Sequence, residues 1–355
     1  MGPKKKNQHY IPKFYLKQFS VENNLKEISL FNTINNIYIK RAPIKTQGSK
    51  NFYYGVDGAL ENELSEIEGL LAATLKGISE NLIIPPKDSE MYISLLAFIS
   101  ITHLRNPISI EGKKKSFQAV REKIIELSPE TDIDKLIPNV SHDKALELSF
   151  GMVADIIQML SDLDVKILIN KTNIPFITSD NPIVKYNQFL EERKWHGSKT
   201  GFGLVGLQIF VPLNQSITLV FFDSSIYKVG NKKQTKIEMN RNDEIQQLNL
   251  LQYLNCIDTI YFNQNFNEYQ ARAMFETSKK YSKANISKAT LAKLIDPKET
   301  NPMDKDNFII MQNSDCDIKL TLSNFKIHFR GRSHKLNPSM AQVRPHCEKL
   351  RGNRD

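Results

Sequence analysis

Four side chains of types that do chemistry stand at the borders of apolar sequence: His9, Glu61, Arg105 and Asp180. His9 lies beside Tyr10 and Pro12 in the aromatic segment His9–Phe19. A histidine held among rings suits general acid–base work, because its ordinary pKa is near about 6.5, and it serves equally well as a packed hydrogen-bond anchor. Glu61 and Glu68 are seven residues apart in a helical stretch, which puts them on one side of the helix, roughly 10 Å apart along its axis. They flank Leu64 at the edge of an apolar stripe. A carboxylate there needs a partner, whether a structural Arg or Lys, a metal or a substrate. Arg105 closes the most apolar helical stretch of the chain, so it must be paired or face a cleft, and an ion pair with Glu61 or Glu68 would serve. His103 reads as a core histidine. Asp180, within Thr178–Pro182, follows an apolar run directly. It is placed either for a polar site at a strand end or for ordinary Asp-Asn-Pro turn chemistry.

Two shorter patterns point to cofactor or metal chemistry and are outweighed by plainer readings. Gly201, Gly203 and Gly206 spell GxGxxG, but a dinucleotide loop needs a strand before it and a helix after it. Here a polar segment precedes and a strand-like run follows, so a flexible approach to a strand is expected. Asp164-Val165-Lys166 resembles the acid-x-Lys step of restriction-type nucleases, with Asp143 or Asp155 as the upstream acid. In such sites the acids hold a divalent ion and the lysine orients water or neutralises charge. The tripeptide is short, and a solvated strand start is the reading kept. HExxH, GxSxG, a Walker loop and a zinc-ligand cluster are all missing from the sequence.

The elements that must position these groups are legible from periodicity. Glu27–Asn32 and Ile37–Lys40 alternate around Asn35-Asn36 as a hairpin. Leu60, Leu64, Ile67, Leu71, Leu75 and Ile78 make one stripe of a helix over 59–79. Met91–Leu104 is apolar on nearly every face and reads as a buried helix stopping before Pro107. A further helix is expected over 145–163. The period then changes. Val165–Asn170 with Pro175–Thr178, and Leu207–Pro212 with Ser216–Phe222, read as hairpins. Residues 242–256 and 264–283 return to helix, with a short strand Thr259–Phe262 between them. Phe308–Met311 and Ile318–Leu322 suggest one appended hairpin. Helices and strands come in blocks, which favours an α+β fold with helices packed on a mainly antiparallel sheet.

The 355 residues, 40% apolar and 25% charged, exclude a disordered chain, a collagen and a membrane bundle. The net charge of +9 is carried by the ends. Residues 1–6 hold Lys4, Lys5 and Lys6 and no acid; residues 324–355 hold eight bases against two acids; 7–323 holds 37 of each. Nucleic acid is therefore expected to be met, if at all, through the basic termini. Three widely spaced cysteines, the lack of an h-region after the first lysines and the shortness of Tyr92–Leu104 as a bilayer span favour the cytoplasm and no membrane. The expected organisation is a basic tail over 1–6, a core domain over 7–290, appended strands or linker over 296–329, and a basic disordered tail over 330–355. Five of the eleven arginines fall in that last segment.

The opening Gln8-His9-Tyr10-Ile11-Pro12-Lys13-Phe14-Tyr15-Leu16-Lys17-Gln18-Phe19 resembles the start of a bacterial domain-of-unknown-function family, DUF 4238. Three later passages are similar to it as well: the Glu61 to Glu68 helix, Arg105-Asn106-Pro107, and Phe176 through Pro182. The likeness covers about 7 to 285. It supplies positions and no mechanism, and it implies that His9, Arg105 and Asp180 act jointly. A set of His, Glu, Arg and Asp suits phosphodiester hydrolysis. His9 would be the acid–base group, Glu61 and Asp180 ligands of Mg or Mn, Arg105 the phosphate clamp, and Lys13 and Asn181 substrate contacts. Such a nuclease would fit a defence or toxin system. The alternative is a non-catalytic module for nucleic acid or protein, in which the same side chains form a structural network.

Overall fold

A computed structural model describes residues 6–56, 58–195, 197–283, 285–293, 307–314, 316–336 and 342–352. Two sheets organise it. The larger runs in the order Lys236–Met239, Asp164–Asn170, Ile217–Phe222, Gln208–Asn214, Val184–Tyr186. Its pairs are antiparallel except the first. The smaller sheet runs Ile37–Pro43, Glu27–Asn32, Thr259–Phe262, Thr178–Ser179, and its pairs are antiparallel throughout. The fold is α+β, as the blocks of periodicity indicate.

The larger sheet is buried on both faces, and side-chain alternation sorts its residues between two cores. Ile167, Ile209, Val211, Leu219 and Phe221 join the core that contains Leu64, Leu95 and Ile156. Leu168, Phe210, Val220 and Phe222 join the core of Ile245, Leu251 and Phe262. A strand covered on both sides reads as a continuous apolar run, which is why Ile217–Phe222 shows no polar alternation. Each such side chain contributes roughly 1.5–3 kcal/mol by leaving water.

Helix Ala59–Asn81 buries Leu64, Leu71, Leu75 and Ile78, the expected stripe. Helix Glu90–Leu104 is buried nearly all round, capped by the Ser89 side chain on the Tyr92 amide. Asn106 then caps helix Pro107–Leu127, whose proline sits in the first turn, where no amide hydrogen is needed. Among the described residues no single helix is long and apolar enough to cross a membrane.

Several expectations are corrected. The helix foreseen over 145–163 is two helices, His142–Gly151 and Val153–Leu160. Val165–Asn170 and Pro175–Thr178 do not form a hairpin. The first lies in the larger sheet and Thr178–Ser179 in the smaller one, because Asn170 and Thr172 fold the intervening turn onto the Ile174 carbonyl. Asn307–Ser314 pairs with Asn285–Lys293 and not with Ile318–Leu322. Ile318, Leu320 and Leu322 instead enter the second core.

Within the segment from 330 onward, expected to be a disordered tail, the described residues include ordered elements. Phe329–Ser333 and Pro345–Gly352 are helical. Arg344, 1% exposed, meets the Asp162 carboxylate at 2.8 Å and the Leu204 carbonyl at 3.0 Å. A buried guanidinium can be held only where acceptors surround it, and the core supplies them. Residues 1–5, 337–341 and 353–355 lie outside the described residues, so the predicted basic tail over 1–6 falls almost wholly there.

Candidate functional site

The glycine pattern and the acid-x-Lys step resolve into structure. Gly203 accepts from the Arg344 amide at 2.7 Å, and the Gly206 amide donates to Asp223 at 2.8 Å, so the loop anchors the C-terminal segment and a strand. Gly206 has φ +77°, and a Cβ there would lie 2.7 Å from the Asn187 side chain. Asp164 pairs with Lys87 at 3.2 Å. The Lys166 ammonium donates to the Asn231 carbonyl at 2.5 Å.

His9, Glu61, Glu68 and Arg105 gather around Tyr54. His9 ends the short strand Asn7–His9, which pairs with Ser49–Asn51. Its ring is buried, and Nε2 lies 3.2 Å from the Lys45 carbonyl, which can only accept, so Nε2 carries the hydrogen. Burial first, then Lys13 and Arg105, push the His9 ring down to about 4, against the Lys45 contact. The Tyr54 hydroxyl donates to the His9 carbonyl at 2.9 Å, and the Tyr54 amide donates to the Gln8 side chain. Burial raises the Tyr54 phenol above its ordinary range; Arg105 works against that, and Glu61 and Glu68 add to it.

Arg105 is 1% exposed. Its Nη1 donates to Glu68 Oε1 at 3.3 Å, and Glu68 is about a third exposed. Nε and Nη2 are buried without a hydrogen-bond partner. The Tyr53 hydroxyl donates to the Arg105 carbonyl at 2.9 Å, which fixes the end of the apolar helix. Its ion pair is thus one long, single-oxygen contact, where its fork can satisfy two oxygens at once, and its other neighbour is the Tyr54 hydroxyl. His103 has a different setting. It stands edge-on to Phe202 at 4.9 Å, with an unpartnered Nδ1, and burial, then Lys185 and Lys113, hold it well below its ordinary value.

Asp180 is wholly buried, and its carboxylate serves one turn. Oδ1 accepts from the Ile257 amide at 2.7 Å, and Oδ2 from the Asp258 and Thr259 amides at 2.8 Å each. Burial pushes the carboxyl up to about 8, against the amide bonds, which favour the charged form. Three of its four lone-pair sites are thus committed to the turn, and the group does not reach the surface. Among the described residues no group of three or more His, Cys, Asp and Glu side chains is placed to hold a metal. Asn181 donates to the Asn255 carbonyl at 2.9 Å, a contact within the fold. Lys13 is exposed and reaches His9 through its field.

Residues that the sequence reading passed over complete the arrangement. Asn106 donates to the Asp180 carbonyl at 2.7 Å while capping its helix. The Asn-Pro step was the visible signal for that cap. Tyr53 and Tyr54 lie in a short aromatic run whose partners are remote in sequence, so spacing carried no signal for them. The cleft beside Tyr53, about 310 Å³ in volume, also takes in Lys50, Phe52, Glu111 and His142.

A family model described as "Protein of unknown function (DUF4238)" matches residues 7–266, a span that contains His9, Glu61, Arg105 and Asp180. Comparison with curated proteins and with solved structures returns no match.

Proposed function

We infer that this chain, which belongs to DUF4238, a family of proteins of unknown function, binds a phosphate-bearing ligand at Arg105. The observation that carries the reading is the pair of buried guanidinium N–H groups, on Nε and Nη2, that have no acceptor. A buried donor left unmet costs on the order of 1–3 kcal/mol, more on a charged group. An anion with several oxygens would satisfy both at once. Glu68 holds the third edge by a 3.3 Å contact from a partly exposed position, so it acts as a carboxylate that an incoming anion displaces. Phosphodiesters and nucleotides are the ligand class.

Hydrolysis is the second reading, favoured by one observation: His9 is held neutral close to Arg105, the state a general base needs. Glu61, with Mg or Mn, belongs to that reading. Nucleic acid is the polymeric form of the same ligand class. The exposed Lys326, Arg330 and Arg332 support it, whereas Arg344 is already engaged by Asp162. Three buried, widely spaced cysteines are consistent with a reducing compartment, and we place the protein in the cytoplasm.

Calorimetric titration with inorganic phosphate, pyrophosphate and a short oligonucleotide tests binding. Arg105→Met should abolish it. Glu68→Gln should tighten it several-fold by releasing the guanidinium. Unchanged affinity in Arg105→Met would overturn the reading. Release of labelled nucleotides with Mg or Mn, lost in His9→Gln, would establish hydrolysis over binding.

A further inference from the structure

We propose that the cleft beside Tyr53 binds a planar nitrogen heterocycle, the base of a nucleotide whose phosphate reaches Arg105. The proposal rests on the phosphate reading and names its ligand more closely.

Three rings, those of Phe52, Tyr53 and His142, line the cleft together with Pro107 and Ile110. Tyr53 is pinned by its hydroxyl on the Arg105 carbonyl at 2.9 Å. His142 stands edge-on to it, with ring centroids 5.1 Å apart, and its Nε2 lies 2.9 Å from the Tyr53 carbonyl. A carbonyl can only accept, so Nε2 carries the hydrogen and, in the neutral ring, Nδ1 is left as an acceptor. The Glu111 carboxylate, half-exposed and held from one side by the Lys114 ammonium at 3.2 Å, adds a second acceptor through its remaining lone pairs, and the Lys50 ammonium supplies positive charge. Two acceptors against flat apolar walls suit a heterocycle bearing an exocyclic amine.

Phe52 gives an independent reason. It lies in the left-handed region, with φ +52°, a conformation that an aromatic residue rarely adopts. Its amide is tied to the Lys6 carbonyl at 2.8 Å. The ring is more than a third exposed at the cleft and does not enter the core. Backbone strain that holds an apolar ring out in water is expected where the ring has a ligand to meet. Tyr53 links the two: it lines the cleft, its hydroxyl bonds to the Arg105 carbonyl, and its phenol lies within the field of both the Arg105 guanidinium and the Glu111 carboxylate.

The test compares AMP, adenosine, ribose 5-phosphate and inorganic phosphate by calorimetry on the full chain. AMP should bind about tenfold more tightly than ribose 5-phosphate. Phe52→Gly removes the ring and suits the positive φ, so the fold is kept. In this variant AMP should fall to the affinity of ribose 5-phosphate, which itself stays unchanged. Equal binding of AMP and ribose 5-phosphate in the parent protein, or an undiminished difference in Phe52→Gly, would overturn the proposal. If adenosine binds in a Phe52-dependent way while the phosphates do not, the cleft is a base site and the Arg105 reading fails. If none of the four binds, both fail.

Discussion

The side-chain amide of Asn106 donates to the backbone carbonyl of Asp180 at 2.7 Å, across 74 residues of chain. The same side chain accepts from the Ile108 amide at 3.0 Å. One buried residue therefore caps a helix and ties the turn after Thr178–Ser179 to the end of the apolar helix that presents Arg105. Asn106→Ala should cost about 2–4 kcal/mol, a lost cap together with an unmet buried carbonyl. Asn106→Ser, which restores a cap without the reach, should recover roughly 1 kcal/mol. Urea denaturation reads both values, and equal stability of the two variants would count against the double role.

Asp180 holds three amides of the turn at 257–259 and meets no solvent. Asp180→Ala should destabilise the chain by about 3–5 kcal/mol, since three buried donors lose their acceptor together. Asp180→Asn keeps an oxygen for the Asp258 and Thr259 amides and should recover part of that loss. A variant with an unaltered melting temperature and impaired ligand binding would instead place Asp180 in the site.

His9 makes stability depend on pH. Its ring is lowered to about 4 from 6.5 in the fold. Between those values the unfolded chain takes up a proton that the native chain refuses. Stability from this group therefore rises with pH across the window and falls on acidification. Solvent screening leaves an effect on the order of 1–2 kcal/mol. Asp180, raised to about 8, works in the opposite direction, so the informative quantity is a difference between proteins. His9→Gln keeps a donor for the Lys45 carbonyl and cannot titrate. It should therefore be less sensitive than the parent between pH 6.5 and 4. Parallel stability–pH curves for the two proteins would show that His9 is not the group responsible.

Arg344 anchors the C-terminal segment through Asp162 and the Leu204 carbonyl. Arg344→Ala leaves a buried acceptor set unmet and should cost about 2–4 kcal/mol. The expected sign is proteolytic cutting within 316–352 while the rest of the chain stays intact. Full protection in the variant would mean that the segment is held mainly by Ile318, Leu320 and Phe325.

Much of the fold was legible because local periodicity is a local property. The stripe from Leu64 to Ile78, the unbroken apolar stretch ending at Leu104 and the hairpin after Glu27 each carry their structure in residues a few positions apart. The types of the candidate residues were legible too. A histidine among rings and an arginine at the end of a buried helix each require an unusual setting.

Tertiary structure alone decided what those settings are. Thr178–Ser179 could pair with a preceding strand or with Thr259–Phe262, and only the burial of both sheets selects the latter. The choice turns Asp180 toward the 257–259 amides. The Arg330–Asp355 composition suggested disorder, yet Asp162 and two carbonyls, supplied by the folded body, accept Arg344. Sequence specifies which groups are costly to bury; where each finds its partner depends on contacts between residues far apart in the chain, which no short-range pattern encodes.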